Sequence, residues 1–502
     1  MLRDHDKIII DEFLGLFRRG SNENAPPDHF WDCNNVQFSY SGVQTRDGLD
    51  TLSAVNDVVR MYVFTMTDHG DTILLLDKNG NLYHRLNDTT TYGPILSIPT
   101  MTDFGFQAFA GRAYITPFTT TIDNNGFPRS IGLQNEFVYV YKGDGIPARK
   151  AGGAAPTGSI TVSNGASTGD ESVEAGVHVI GVVYETDTGF LTKIGCLTSI
   201  NAPGSQYIDI SGVPISPSPY VTKRHIVASK AINPDDFTGS LQDYQLFFVP
   251  DGDINDNTTT TINVKFFDAD LLDDAWHLLD LFEEIPAGVG LNTYHNRMLL
   301  WATYDDISVV RISADGEPEA FDEIDGLLIV TLDGNPITNC QEFRDVLYVF
   351  KQNRTYAYND NGDVPSSWPQ TVLEQGIGTS VHGIAKVLDS GGVDIDYLFI
   401  CGVAGIFMFN GTFLRPELTW KIRDYWLTVP KSHYGILQIY NDPILQRFYV
   451  TLPGTQMLLC DYSDQLDPKS IKWAFWSFDI NTSTIALFQG NTLIIGANPT
   501  VV

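Results

Sequence analysis

Basic residues are scarce in this 502-residue chain: 31 Lys and Arg stand against 61 Asp and Glu, a formal charge of −30 at pH 7. That deficit disfavours counterion-release binding to nucleic acid as the main function, because such binding needs clustered cations. Cysteine is rare too. Cys33, Cys196, Cys340, Cys401 and Cys460 are odd in number and scattered, which argues against a disulfide framework or a zinc site and leaves them as small buried side chains. No apolar run approaches the roughly twenty residues that span a bilayer, and no signal-peptide pattern opens the sequence. Synthesis in a cytoplasm without membrane insertion is the expectation. Helical periodicity is nearly missing, with one stretch, "ADLLDDAWHLLDLFEEIP" at 269–286, as its single good instance.

Short strands fill the space that helices leave. "NCQEFRDVLYVFKQNRTYAYN", residues 339–359, holds two strand-like runs, Val346 to Lys351 and Arg354 to Tyr358, around the polar pair Gln352-Asn353. Variants of this hairpin recur. Aligned on the apolar centre of the second strand of each unit, Leu299, Tyr348, Phe399 and Tyr449 are spaced by 49, 51 and 50 residues. Leu74 and Tyr114 precede them 40 residues apart, and Leu493 follows Tyr449 by 44. Such a period, built of strands and turns, is the mark of propeller blades, so the expected fold is all-β, a β-propeller of about seven blades. The last unit has only "STIALFQ" and "NTLIIGA", and pairing it with the strand-like "NVQFSYSGVQTRDG" at 35–48 would close the ring.

The rhythm stops for about 150 residues after the second unit. A Gly/Ala/Pro linker, "ARKAGGAAPTGS", leads into six or seven strand candidates, which suggests an inserted immunoglobulin or fibronectin-like β-sandwich. The expected organisation is an N-terminal arm over 1–34, propeller over 35–147, the sandwich over 148–270, a connecting helix over 271–290 and propeller again over 291–502.

Candidate chemistry is thin. "GASTG" around Ser167 matches a nucleophile-elbow pattern but has no helix after it. "DGDINDN", 251–257, starts like a calcium loop, yet Asp256 stands where Gly belongs and Ile262 where Glu belongs. On the expected helix, Asp273, His277, Asp280 and Glu284 share a face that could hold a metal. The same pattern fits a solvated face whose opposite side docks Leu272, Trp276 and Leu279 on the sheets. "KWAFWSFD", 472–479, puts bulky rings on both faces of a buried strand. A propeller glycosidase needs convergent carboxylates at the axis, and the strand starts "GIGTSVHGI", "YGILQIY" and "STIALFQ" read as apolar or small. No catalytic residue, cofactor or metal is expected.

The N-terminal "FLGLFRRGSNENAPPDHFWDCNNVQFSYSGVQTRDGLDTL", 13–52, resembles the openings of phage virion proteins. The hairpin at 339–359, with "EQGIGTSVHGIAKV" and "YLFICGVAGIFMFNG", is similar to the propeller core of tail-hub or nozzle proteins of short-tailed phages. The resemblance implies a non-enzymatic structural component of the virion tail, assembled in the host cytoplasm. It would form a homo-oligomeric ring around the DNA exit channel, with portal, adaptor and tail-fibre proteins as neighbours and double-stranded DNA passing without specific binding. Phe13, Leu14 and Phe17 of the arm are then the expected assembly residues. The rival expectation is a glycan-binding or glycan-cleaving propeller, a receptor-binding or depolymerase module.

Overall fold

The computed structural model describes residues 16, 18, 34–39, 42–45, 55–66, 70–86, 90–167, 173–324, 326–388, 395–435, 437–463, 466–488 and 492–497. The chain is all-β and made of small antiparallel sheets. Sheet 1 is Val58–Met66, Gly70–Asp77, Asn81–Arg85 and Thr91–Ser97, and sheet 2 begins with Asp103–Phe109 and Arg112–Ile122 and ends with Tyr139–Tyr141 and Arg149–Lys150. Sheet 3 is Gly290–Tyr294, Arg297–Trp301, Val309–Ile312 and Leu327–Ile329, and sheet 4 is Ile337–Phe343, Val346–Lys351, Arg354–Tyr358 and Gln370–Gln375. Sheet 5 is Ile384–Leu388, Ile395–Gly402 and Gly405–Phe409, sheet 6 is Ile439–Asp442, Arg447–Thr451, Gln456–Asp461 and Lys472–Ser477, and sheet 7 is Thr482–Phe488 with Thr492–Ala497.

Each of the seven aligned residues, from Leu74 to Leu493, lies on the second strand of its sheet. Tight turns make this repeat possible. At His295-Asn296 and Arg344-Asp345 both turn residues have positive φ, 45° and 62° in the first and 52° and 62° in the second, the geometry whose twist matches that of paired strands. The first strands of sheets 1, 2, 3 and 4 lie beside one another in turn, as do those of 5, 6 and 7. Asn339 of sheet 4 donates to the Val381 carbonyl just ahead of sheet 5 at 2.8 Å. Sheet 7 returns to sheet 1: Ser483 Oγ donates to the Val58 carbonyl at 2.5 Å and Met61 N–H to Thr484 Oγ1 at 3.2 Å.

Among the described residues of 35–48, none pairs with sheet 7. Val36–Ser39 pairs with Gly42–Thr45, which uses the facing edges of both strands. Asn34 bridges Phe475 on the outer strand of sheet 6, and Trp476 Nε1 donates to the Val36 carbonyl at 2.7 Å. Phe13, Leu14 and Phe17 lie outside the described residues. Leu16, from the same arm, is fully buried, and its N–H donates to the Trp473 carbonyl at 2.9 Å.

Between sheets 2 and 3 the chain forms two further sheets, one of Thr161–Ser167, Gln206–Ser211 and Thr261–Val264, the other of Gly195–Ala202, Gly176–Thr186, Val221–Ala228 and Phe247–Ile254. Ile180, Val182 and Ile226 of the larger sheet meet Ile208, Ile210 and Val264 of the smaller in one core. Alternation along each strand supplies that shared face.

The stretch 271–290 is not a helix. The chain makes only short 3₁₀ turns at Asp268–Asp270 and Trp276–Asp280. Its backbone is claimed by neighbouring strands: Phe248 N–H donates to the Asp273 carbonyl, Ala275 N–H to Leu246, Phe282 N–H to Phe321 and Val138 N–H to Ile285, all at 2.8–2.9 Å. Leu271, Ala275, Leu278, Leu281 and Ile285 are buried at intervals that mimic a helix, because three separate cores take them in turn. Leu272 and Trp276, expected to dock, are exposed.

Gly378, in the "GIGT" segment, shows why a glycine is required: a Cβ there would lie 1.9 Å from the Lys351 carbonyl oxygen. Gly378→Ala should therefore lower stability by about 1–3 kcal/mol, the range for overpacking a tight site. Urea unfolding followed by tryptophan fluorescence would read the shift in midpoint, and an unchanged midpoint would refute the close approach.

Candidate functional site

The first strands of the sheets are mostly apolar, yet they carry a few polar side chains that converge. Arg60 of sheet 1 donates through Nε and Nη2 to Asp103 at the head of sheet 2, at 2.9 and 2.8 Å, and through Nη1 to Gln438 Oε1 at 3.1 Å. Gln438 also accepts from Thr484 Oγ1 of sheet 7 at 2.7 Å and donates to the Ile485 carbonyl at 3.0 Å. His382, ahead of sheet 5, lies 2.9 Å from Asp103 Oδ2 through Nε2 and 3.1 Å from the Tyr62 hydroxyl through Nδ1. Five sheets thus contribute to one buried network. Arg60, Asp103, Gln438 and Thr484 are all buried, and a cavity of about 270 Å³ adjoins Arg60 and Asp103, lined by apolar residues such as Val59 and Leu437 and by the polar Asp77, Lys78, Thr451 and Ser483.

The strand starts that read as apolar or small therefore carry His382, Gln438 and Thr484 into this network. Its electrostatics favour fixed charges. Burial would raise the Asp103 carboxyl, but the Arg60 guanidinium and the His382 ring outweigh it and hold Asp103 well below the ordinary carboxylate range. Burial and the nearby Arg60 charge push the His382 imidazole below its usual value, against the pull of Asp103. Burial pushes the Tyr62 hydroxyl far up. Asp103 accepts from Arg60 twice, from the Phe104 N–H at 2.8 Å and from His382, which fills the roughly four acceptor positions of a carboxylate. Both His382 nitrogens are occupied as well. Asp103, His382 and Tyr62 thus form one chain of hydrogen bonds inside the network.

A second charged network joins the inserted sheets to sheets 2 and 3. Arg149 donates to Glu319 at 3.1 and 3.2 Å and to Asp187 of the insert at 3.1 Å. Glu319 also accepts the Gly152 N–H at 2.6 Å, while Lys142 and Arg112 approach Asp187 from sheet 2. Burial opposes the charge on Asp187, yet Lys142 and Arg149 bring its carboxyl below the usual range. Nothing in the sequence announces this clamp, since its members are scattered over more than 200 positions.

The sequence candidates are dispersed. Asp273 and His277 are exposed in separate turns, and Glu284 pairs with Lys150 at 3.0 Å, so the proposed face does not assemble. Ser167 is the exposed last residue of a strand, opposite Gln206. Asp256 closes a turn by accepting the N–H groups of Thr258 and Thr259, both at 2.7 Å, and pairs with the buried Arg224 at 3.1 Å. Trp473, Phe475, Trp476 and Phe478 are all buried, the first three on the outer strand of sheet 6 and Phe478 just beyond it. Cys340, Cys401 and Cys460 are buried, and burial pushes their thiols up.

No protein-family model matches the chain, and no curated protein matches it. Among solved structures it is similar to apo AztD from Citrobacter koseri, at 11% identity and a TM-score of 0.30 over 83% of this chain and 86% of that one. It is also similar to BBS1N in its complex with ARL6DN, at 10% identity and a TM-score of 0.28 over 80% of this chain and 90% of that one. Likeness at this level carries no functional argument.

Proposed function

We propose that this chain is a non-enzymatic structural protein, a seven-bladed β-propeller with an immunoglobulin-like insert, of the tail-hub or nozzle kind found in short-tailed phages. The observation that carries the non-enzymatic reading is the network at the convergence of the first strands. Where a propeller hydrolase would present free carboxylates, Asp103 has all its acceptor positions filled by Arg60, His382 and its own strand. Such a knot ties sheets together. The virion reading rests on the resemblance of residues 13–52 and of the hairpin region at 339–359. The formal charge of −30 fits a conduit through which DNA passes without being held.

Electron microscopy of particles carrying the protein should locate it in a ring at the tail, around the DNA exit. The purified protein should show no retention of duplex DNA at physiological salt and no release of sugars from capsular or cell-wall polysaccharide. Saturable duplex binding, polysaccharide cleavage, or absence of the protein from particles would each overturn the proposal.

A further inference from the structure

Two neighbouring turns place metal-ligating side chains together where no network described so far reaches. His295 sits in the turn between the first two strands of sheet 3, and Asp345 in the corresponding turn of sheet 4, with Glu342 on the strand leading into it. Nε2 of His295 lies 4.0 Å from Glu342 Oε1 and 3.9 Å from Asp345 Oδ1, and its Nδ1 lies 3.6 Å from Asp360 Oδ2. These separations are too long for hydrogen bonds. They suit donors around an ion instead: with bonds of about 2.0–2.2 Å to one cation, two donors stand roughly 3–4 Å apart. The donor atoms of His295, Glu342 and Asp345 all lie within 4.8 Å of one another.

Nε2 faces the two carboxylates that would share a metal, while Nδ1 on the other side of the ring faces Asp360 without a hydrogen bond to it. The ring is held in place. It stacks on Tyr294 with centroids 4.0 Å apart and 19° between planes, and the Tyr294 hydroxyl donates to the Asp345 carbonyl at 3.1 Å. Arg344, the cation beside the cluster in sequence, turns away: its guanidinium donates to the Asn410 and Asp396 carbonyls and lies over Phe343. Asp345 is largely exposed, which leaves room for water on the ion.

We infer that His295, Glu342 and Asp345 bind a divalent transition cation of the Zn²⁺ class that clasps the turns of sheets 3 and 4. One imidazole with two carboxylates and open positions for water suits Zn²⁺ or Co²⁺ better than Ca²⁺ or Mg²⁺, which prefer all-oxygen shells. This assignment does not depend on the virion reading.

The full-length protein, stripped with chelator and desalted, would be titrated with Zn²⁺ alone by calorimetry and with Co²⁺ by visible absorption. One saturable equivalent is expected, with a rise in Tm. His295→Ala and Glu342→Gln should each weaken it by about tenfold or more, the size of effect seen when a metal shell is disturbed, while Asp236→Asn, remote in the insert, should not. Uptake that never saturates, as an acidic surface would give, or binding indifferent to His295→Ala, would overturn the site. Should the variants fail to fold, the wild-type protein decides: Zn²⁺ should protect His295 from diethyl pyrocarbonate in a peptide-mass readout, and unchanged modification would refute it.

Discussion

Asp103→Ala is expected to destabilise the protein by about 3–5 kcal/mol, the cost of stranding a buried cation by removing its partner. The substitution leaves Arg60 without its carboxylate and His382 without an acceptor. Arg60→Met combined with Asp103→Leu should recover much of the loss, because a buried pair can often be replaced by apolar groups of similar volume. Chemical denaturation of the two variants tests this, and an Asp103→Ala protein as stable as the parent would show that the network does not hold the fold. The same groups set an acid response. Asp103 keeps its charge in the folded protein below the pH at which the unfolded chain takes up a proton, so its stabilisation is complete above the ordinary carboxylate value of 3.8 and is lost as pH falls. His382 resists protonation when folded, so stability also declines as pH drops below the usual imidazole value of 6.5. The melting temperature should fall first below about pH 6.5 and more steeply below about pH 4, and the first decline should shrink in a folded His382→Gln variant.

Arg149→Ala should be comparably damaging, again about 3–5 kcal/mol. Among the described residues it leaves Glu319, which is 2% exposed, accepting only from the Gly152 N–H and the Tyr114 hydroxyl, and it removes one of the three cations around Asp187. The expected signature is specific to the insert. Proteolysis in the linker between Gly152 and Ile160 should accelerate, and the insert should melt separately from the remaining sheets. If both parts still unfold in one transition at the parental midpoint, Arg149 does not couple them.

What the sequence discloses follows from the range over which its signals act. Turn chemistry and strand alternation are local, so the boundaries of Val346–Lys351 and Arg354–Tyr358, and the place of Leu74 or Tyr449 on a second strand, can be read directly. The stretch at 271–290 misleads for an equally physical reason: Leu271, Ala275 and Leu278 carry helical spacing, but strands on either side offer their backbone better partners. Intrinsic preference is a weak guide against such tertiary demand. The central network stays hidden because Arg60, Asp103 and His382 are 43 and 279 residues apart. A cue did exist, in that a lone arginine in "VVRMYVF" and a lone histidine in "TSVHGI" interrupt strands otherwise fit for burial. A buried charge without a partner is costly enough that each such residue predicts another.

The contact between sheets 7 and 1 also has a meaning in time. Ser483 bonds to Val58 across 425 residues of chain. At about 5–20 residues per second, translation takes roughly 20–90 s to cover that distance. During this interval the first strand of sheet 1 can pair with Gly70–Asp77 and pack beside Asp103–Phe109, while its contact with sheet 7 has yet to be synthesised.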